Sequence, residues 1–122
     1  MKLSYSDIFV TIATDKVKVV TDFYSQLLEQ QPTVYRLPIY AEFKLEKLRL
    51  AIFQPKAENI AEFAAHSSSL SLCLEVEDLD RAISHVSALD CPPSGEIITA
   101  SHGREIYAYD PAGNRLILHQ SN

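Results

Sequence analysis

A chain of 122 residues with 47% hydrophobic and 22% charged residues has the composition of one globular domain. Its net charge of −5 comes without the basic stripe that neutralises nucleic-acid phosphates, and no apolar run approaches the length of a membrane span. The first ten residues lack the apolar core of a secretory signal, and two cysteines do not make a disulfide framework. We therefore expect a cytoplasmic protein that binds neither nucleic acid nor membranes.

The chain begins with a predicted strand over residues 5–14. Apolar side chains alternate in it, so Val10 and Ile12 point to one face and Phe9 and Thr11 to the other. This alternation predicts a strand that packs one face against a hydrophobic core.

A helix is predicted next, over residues 16–30. Asp15 is its candidate N-cap, and its apolar residues recur at helical spacing. Pro32 is expected to end it, because proline fixes φ and has no N–H to donate. Three strand-like runs follow, at residues 33–37, 40–45 and 48–53, the last two joined by a tight turn at Glu46 and Lys47.

A linker is predicted between the two halves of the chain. It carries one short helix, whose buried stripe would be Ile60, Phe63 and Ala64. The chain is therefore divided into a first module at about 1–55, a linker at 56–68 and a second module at about 69–122.

The second half repeats the order of elements. A strand at residues 70–77 alternates leucines with polar residues, and Asp78 is the candidate N-cap of a helix over residues 79–89. Strands follow at about 96–100, 104–109 and 114–120, separated by turns at 101–103 and 110–113.

The two halves superpose when one is shifted by 62 positions. Val10 then falls on Leu72 and Ile12 on Leu74, and the apolar positions of the two helices coincide. A pattern that occurs twice is stronger evidence for a fold than the pattern of either half alone. It predicts an α+β fold of two βαβββ modules, in which each sheet carries a helix on its outer face.

Three short motifs carry a family resemblance: Phe23-Tyr24 with Leu27-Leu28, Val76-Glu77-Asp78-Leu79, and Asp110-Pro111-Ala112-Gly113-Asn114. The last is a turn in which Pro111 presets φ, Gly113 permits positive φ and Asp110 accepts backbone hydrogen bonds. Together they resemble the vicinal oxygen chelate superfamily of glyoxalases, bleomycin-resistance proteins and extradiol dioxygenases. The resemblance implies a partly open, eight-stranded barrel around a cleft, with the helices outside, and a homodimer as a common state.

The resemblance also implies metal ligands, commonly His, Gln or Glu, on the first and last strands of each module. Strand parity assigns these positions to Phe9, Ala51, Ser71 and Ile117. Hydrocarbon side chains have no lone pair to donate, and one serine is a poor ligand for a transition metal. We therefore expect no metal site of the family type, no cofactor and no assigned catalytic residue.

The histidines offer few alternative ligands. They are His66 in the linker, His85 on the second helix, His102 in a turn and His119, which is predicted to lie on the same strand face as Ile117. None has the His-x-His or His-x-x-x-His spacing, and the nearest constellation is His102 with Glu105. A surface or loop role is favoured for each, and a metal ion at a shifted site stays an open alternative.

The predicted cleft mixes aromatic, polar and charged side chains with apolar ones, as small-molecule sites do. The candidate ligand-binding residues are Phe9, Tyr40, Glu42, Arg49, Phe53, Ser71, Cys73, Tyr107, Tyr109, Arg115, Ile117 and His119. Arg49 and Arg115 hold equivalent places in the two modules, where they either clamp an anionic ligand or pair with surface carboxylates. Cys73 is expected to be a small buried apolar residue rather than a nucleophile.

The favoured function is a non-catalytic one, in which the cleft binds a small aromatic or anionic molecule without the family's metal ion. One alternative is a divalent-metal-dependent lyase, isomerase or dioxygenase that uses a shifted site. The other is an interaction module that binds no small molecule. One scaffold hosts several chemistries in this superfamily, so the resemblance alone does not choose among them.

Overall fold

A computed structural model describes residues 3–4, 6–64 and 69–122. The first module contains β1 (Val10–Ala13), α1 (Val17–Leu27), β2 (Val34–Arg36), β3 (Tyr40–Lys44) and β4 (Arg49–Phe53). A 3-10 helix, Ala57–Phe63, follows it. The second module contains β5 (Leu72–Glu75), α2 (Leu79–Ala88), β6 (Ile98–Ala100), β7 (Gly103–Tyr109) and β8 (Arg115–Ser121).

Each module forms a four-stranded sheet with the same strand order, β1-β4-β3-β2 in the first and β5-β8-β7-β6 in the second. The first strand of each module pairs in parallel with its last strand, and the other pairs are antiparallel. Even the register repeats, with Val10 opposite Leu50 and Leu72 opposite Leu116. This confirms the predicted α+β fold of two βαβββ modules, and the two sheets do not close into a barrel.

The two helices pack on their sheets through the apolar stripes that the sequence predicts. In the first module Val17 and Val20 of α1 are buried with Leu50, and in the second Leu79 of α2 is buried with Leu116. Burying each such side chain contributes about 1.5–3 kcal/mol. The buried apolar side chains of both modules form one cluster. Within the described part of the chain, neither helix is long and apolar enough to cross a membrane.

The first strand and the start of the first helix differ from the sequence prediction. β1 begins only at Val10, and Tyr5 lies outside the described residues. The residue that caps α1 is Lys16 rather than Asp15, and it makes no side-chain capping bond. Instead the hydroxyl oxygen of Thr14 accepts a hydrogen bond from the Lys16 N–H at 3.0 Å. Neither Thr14 nor Asp15 accepts a hydrogen bond from an N–H of the first helical turn, Val17 to Val19.

The end of the first helix also comes earlier than predicted. α1 stops at Leu27 because Glu29 adopts a φ of 51°, in the left-handed region that a helix cannot continue through. Pro32 therefore lies beyond the helix end and does not cause it. In the second module the prediction is confirmed, since the Asp78 carboxylate caps α2 by accepting a hydrogen bond from the Arg81 N–H at 3.1 Å.

The predicted buried stripe of the linker is wrong. Ile60 is 55% exposed, Phe63 is 47% exposed and Ala64 is exposed as well. The segment is a 3-10 helix with no buried residue, and only Phe63 makes a ring contact, edge-on to Phe53 at 5.3 Å. The last part of the predicted linker, including His66, lies outside the described residues.

A buried hydrogen bond joins the two modules. The hydroxyl of Tyr24, on α1, donates to Oδ2 of Asp110, in the turn between β7 and β8, at 2.8 Å. Nearby, the His85 ring on α2 lies 3.1 Å from the carbonyl oxygen of Gln26 on α1. Burial, reinforced by the neighbouring Asp110 carboxylate, raises the pKa of Tyr24 far above its usual value of 10.0.

The raised pKa of Tyr24 makes stability fall in alkali. The unfolded chain releases this proton above pH 10 and the folded protein does not, so the stabilisation is complete below pH 10 and is lost as the pH rises. We expect the free energy of unfolding of Tyr24→Phe to fall less steeply than that of the wild type, by about 1 kcal/mol between pH 10 and pH 11. Urea denaturation at pH 9, 10 and 11 measures this, with the exposed Tyr35→Phe as the control. Equal slopes for wild type and Tyr24→Phe would contradict it.

Candidate functional site

Each sheet has one face that packs on its helix and one that does not, and we call the second the cleft face. Alternation in β8 puts Leu116 and Leu118 in the core and turns Arg115, Ile117 and His119 to the cleft face. The register places ten of the twelve predicted residues on the cleft faces, and Phe9 and Ser71, which precede β1 and β5, contact Arg49 and Arg115 of these faces. At the first sheet lie Phe9, Tyr40, Glu42, Arg49 and Phe53, and at the second lie Ser71, Cys73, Tyr107, Tyr109, Arg115, Ile117 and His119.

The polar side chains of the first cleft face contact one another, although the buried Nε of Arg49 has no hydrogen-bond partner among the described residues. The guanidinium of Arg49 lies 2.7 Å from a carboxylate oxygen of Asp7 and 3.8 Å from one of Glu42, and it stacks on the ring of Phe9. The hydroxyl of Tyr40 donates to Glu42 at 2.6 Å, and this bond raises the pKa of Tyr40. For Arg49 the structure thus shows the second of the two predicted roles, pairing with carboxylates.

A groove of about 600 Å³ lies where the two modules meet, and we call it the inter-module groove. Its walls are β1, the start of β5 and the turn between β7 and β8, with Phe63 of the linker at one side. Three predicted residues line it, namely Ser71, Tyr109 and Arg115, and the other predicted residues lie outside its lining. Arg115 is half-buried and is the one charged side chain among the described residues that line the groove.

Arg115 is positioned by contacts on the second sheet. It is the first residue of β8 and lies directly opposite Tyr109, the last residue of β7. Its Nη1 donates a hydrogen bond to the hydroxyl oxygen of Ser71 at 3.2 Å. The groove therefore presents a guanidinium, a hydroxyl and a phenol together beside the apolar side chains of β1.

A row of polar side chains crosses the second cleft face, one register step beyond Ile117. His119 of β8 lies between Glu75 of β5 and Glu105 of β7, its direct partners in the two ladders. Its Nδ1 is 2.8 Å from a Glu75 carboxylate oxygen, and its Nε2 is 2.9 Å from Nδ1 of His102. Hydrogen bonds from the Ser121 hydroxyl and from His119 hold the pKa of the Glu75 carboxyl below its usual value.

Ligand atoms of His102, Glu105 and His119 all lie within 4.8 Å of one another. The sequence spacing indicates His102 with Glu105 but does not join them to His119. The sequence does contain a feature that could have joined them. Tyr109 and Arg115 flank the turn at Asp110 and are therefore opposite each other in the hairpin. Counting four residues outwards on each side pairs Glu105 with His119.

Comparison with solved structures identifies the fold. A glyoxalase/bleomycin resistance protein/dioxygenase family enzyme from Burkholderia phytofirmans PsJN superposes with a TM-score of 0.79 at 18% identity, over 93% of this chain and 97% of that one. The fosfomycin resistance protein FosX from Mesorhizobium loti gives 0.72 at 19%, over 98% and 95%. A lactoylglutathione lyase from Agrobacterium tumefaciens gives 0.69 at 19%, over 95% and 94%. The chain has the vicinal oxygen chelate fold. No protein-family model matches the sequence, and no curated protein matches it significantly.

The vicinal oxygen chelate fold implies a metal site that these residues do not fit. The positions that parity assigns to its ligands present a phenyl ring, a methyl group, a hydroxyl and a branched alkyl group, from Phe9, Ala51, Ser71 and Ile117. Ser71 already accepts a hydrogen bond from Arg115, and Ala51 is fully buried beside Glu42 in the ladder. A lone hydroxyl among hydrocarbon groups does not make a centre for a divalent transition metal.

The cysteine of the second cleft face differs from its prediction. Cys73 is exposed, not buried, and it is a free thiol, as is Cys91. Partial burial, with Glu75 and Glu105 nearby, raises the pKa of the Cys73 thiol. A raised pKa keeps the sulfur protonated at neutral pH, so Cys73 is not an activated nucleophile.

Proposed function

We propose that this protein binds a small anionic molecule with an apolar or aromatic part in the inter-module groove, without a metal ion at the family's ligand positions. The observation that carries the proposal is the composition of the groove. Among the described residues that line it there is one cation, Arg115, no carboxylate, and a wall of apolar side chains. Such a lining favours a ligand with one negative end and one apolar end.

The residues around Arg115 fit this ligand class. A guanidinium donates two parallel hydrogen bonds to a carboxylate or phosphonate, and the Ser71 hydroxyl, which lies beside it, can turn to donate a third. The ring of Tyr109, opposite Arg115, offers a flat surface to an aromatic group. The names of the similar structures include resistance proteins for bleomycin and fosfomycin, which supports a small molecule as the ligand.

A panel of small ligands tests this proposal. Benzoate, phenylphosphonate, inorganic phosphate and neutral benzyl alcohol are each titrated into the protein by calorimetry and thermal shift. We expect phenylphosphonate and benzoate to bind more tightly than phosphate or benzyl alcohol, and Arg115→Ala to weaken their binding by about 10-fold or more. Arg115→Lys keeps the charge but loses the paired donors, so it should recover only part of the loss.

Arg81→Ala is the matched control, because Arg81 is an exposed arginine on α2 outside the groove. Binding by Arg115→Ala that equals that of Arg81→Ala and wild type for every anion would reject the groove as an anion site. Binding of benzyl alcohol as tight as that of benzoate would reject the negative end of the ligand.

Two further features belong to the same proposal. We place the protein in the cytoplasm, and we expect a second copy of the chain as its partner, since the resemblance implies a homodimer. The rings of Phe9, Tyr107 and Tyr109 are roughly 40% exposed on the cleft faces, and this is apolar surface that a second copy would cover. The alternative of a metal-dependent enzyme has one specific observation in its favour, the group of His102, Glu105 and His119.

A further inference from the structure

We propose that His102, Glu105 and His119 form a binding site for a divalent transition-metal ion, with Zn²⁺ the best match. The site is separate from the inter-module groove and from the positions that the fold's relatives use. Two imidazoles and one carboxylate are a donor set that Zn²⁺ takes readily, and three protein ligands leave a coordination position for water or a substrate atom.

The register of the second sheet brings two of the ligands together. Glu105 and His119 are direct partners in the antiparallel ladder between β7 and β8, and both project from the cleft face. Directly opposed side chains have Cβ atoms about 5 Å apart, which lets both reach one ion. The donor atoms of the three residues already lie within 4.8 Å of one another, and bonds of about 2.0–2.1 Å to a tetrahedral ion need about 3.3 Å.

The third ligand comes from a turn that the backbone holds in place. His102 precedes Gly103, which pairs with Ala100 of β6 and with Ser121 of β8. The Asn122 side chain donates to the Ser101 carbonyl oxygen at 2.6 Å, and the Asn122 N–H donates to the His102 carbonyl oxygen. These bonds tie the turn to the end of β8, so His102 stays beside His119.

The hydrogen bond to Glu75 sets the tautomer of His119 that a metal ion requires. The carboxylate lies against Nδ1 of His119, so Nδ1 carries the proton and Nε2 presents its lone pair. That lone pair points at the space shared with His102. A carboxylate that orients a histidine by its second nitrogen is the usual support of a metal-binding imidazole. The Ser121 N–H and hydroxyl both donate to Glu75 and hold it in this position.

A hydrogen bond joins the two imidazole rings in the structure. His102 Nδ1 and His119 Nε2 approach to 2.9 Å with the rings stacked at 28°, and two carboxylates, Glu75 and Glu105, lie alongside. Rotation of the exposed His102 ring opens this contact to the spacing of two ligands. Four strand positions separate His119 from Arg115, or about 13 Å, so a metal ion here does not contact a ligand held by Arg115.

Metal titration of the full-length protein tests the site. After dialysis against EDTA, ZnCl₂ is titrated by calorimetry, and CoCl₂ by the visible absorption of the bound ion. We expect one Zn²⁺ per chain. His102→Gln and Glu105→Gln each replace a strong ligand with a neutral amide, which is a much weaker donor to Zn²⁺, and should lower the affinity by more than 100-fold. Glu75→Gln removes only the support of His119 and should lower it by about 10- to 100-fold.

His85→Gln is the matched control, since it removes a histidine of α2 that lies outside the cluster. His102 is exposed, so its substitution leaves the fold intact even if His119→Gln does not. Zn²⁺ affinity that is the same in His102→Gln and wild type, or that falls equally in His85→Gln, overturns the proposal, as does a wild type that binds no Zn²⁺. Arg115→Ala should keep its Zn²⁺ affinity, so the metal-site proposal and the anion-site proposal are tested independently.

Discussion

Asp110→Ala is expected to lower the free energy of unfolding by about 3–4 kcal/mol. Asp110 is only 4% exposed, and its carboxylate accepts hydrogen bonds from the Tyr24 hydroxyl and from the backbone N–H groups of Ala112 and Asn114. Without it the Tyr24 hydroxyl stays buried between the modules and lacks its acceptor, which alone costs about 1–3 kcal/mol. The turn also loses the acceptor that fixes its shape, and this loss accounts for the remainder of the expected decrease in stability.

Urea denaturation followed by circular dichroism measures the effect. Asp15→Ala is the matched control, because Asp15 is an exposed aspartate that does not cap its helix, and it should change stability by less than about 0.5 kcal/mol. Asp110→Asn keeps the shape and one acceptor oxygen, so we expect a smaller loss than for alanine. A loss below 1 kcal/mol in Asp110→Ala would contradict the structural role given to this carboxylate.

A double-mutant cycle with Tyr24→Phe separates the bond between the modules from the hydrogen bonds within the turn. Once Asp110 is removed, the Tyr24 hydroxyl has lost its acceptor, so removing the hydroxyl as well should cost little or even stabilise. We expect the two effects to fall short of additivity by about 1–2 kcal/mol. Full additivity would show that the 2.8 Å contact does not contribute to stability.

The fold could be predicted because apolar residues mark the faces of its strands and helices. Ile12 and Leu118 are buried where strand alternation puts them, and Val17 and Leu79 are buried where helical spacing puts them. The same pattern occurs twice, which fixed the two βαβββ modules. A period of two residues also assigns the opposite face, on which Arg49, Cys73 and Ile117 lie as the alternation predicts.

Element ends were harder to predict because single backbone conformations and local competition decide them. No residue type announces that Glu29 adopts positive φ, and Thr14 and Asp15 are both acceptable capping residues by composition. The prediction that the linker buries Ile60 and Phe63 was wrong for another reason. Ile60 and Phe63 have helical spacing, but a spacing says nothing of whether a sheet lies beneath the helix.

The candidate site needed pairing information that periodicity does not carry. His102 comes from a turn, and Glu105 and His119 come from two strands, so only the register of β7 on β8 brings these three residues together. The same limit applied to the arginines. Sequence symmetry made Arg49 and Arg115 equivalent, but of the two only Arg115 lines the inter-module groove.

Gly103→Ala is expected to lower the free energy of unfolding by at least about 3 kcal/mol. A Cβ atom at this position would lie 2.2 Å from the carbonyl oxygen of Gln120 and 3.0 Å from the Cα atom of Ser121. Both neighbours are backbone atoms of β8, which cannot move away without breaking the ladder. The φ of +147° adds strain, since side chains with a Cβ rarely adopt it.

The other glycines give a graded set of controls. A Cβ at Gly95 meets nothing within 4 Å, so Gly95→Ala should be nearly neutral. A Cβ at Gly113 is also in open space, but φ is +89°, so Gly113→Ala should cost only the backbone strain of about 1 kcal/mol. The expected order of stability is therefore Gly95→Ala, then Gly113→Ala, then Gly103→Ala, measured by urea denaturation. If Gly103→Ala were no worse than Gly113→Ala, β7 and β8 would not approach as closely as this register requires, and the contact between His102 and His119 would lose its structural basis.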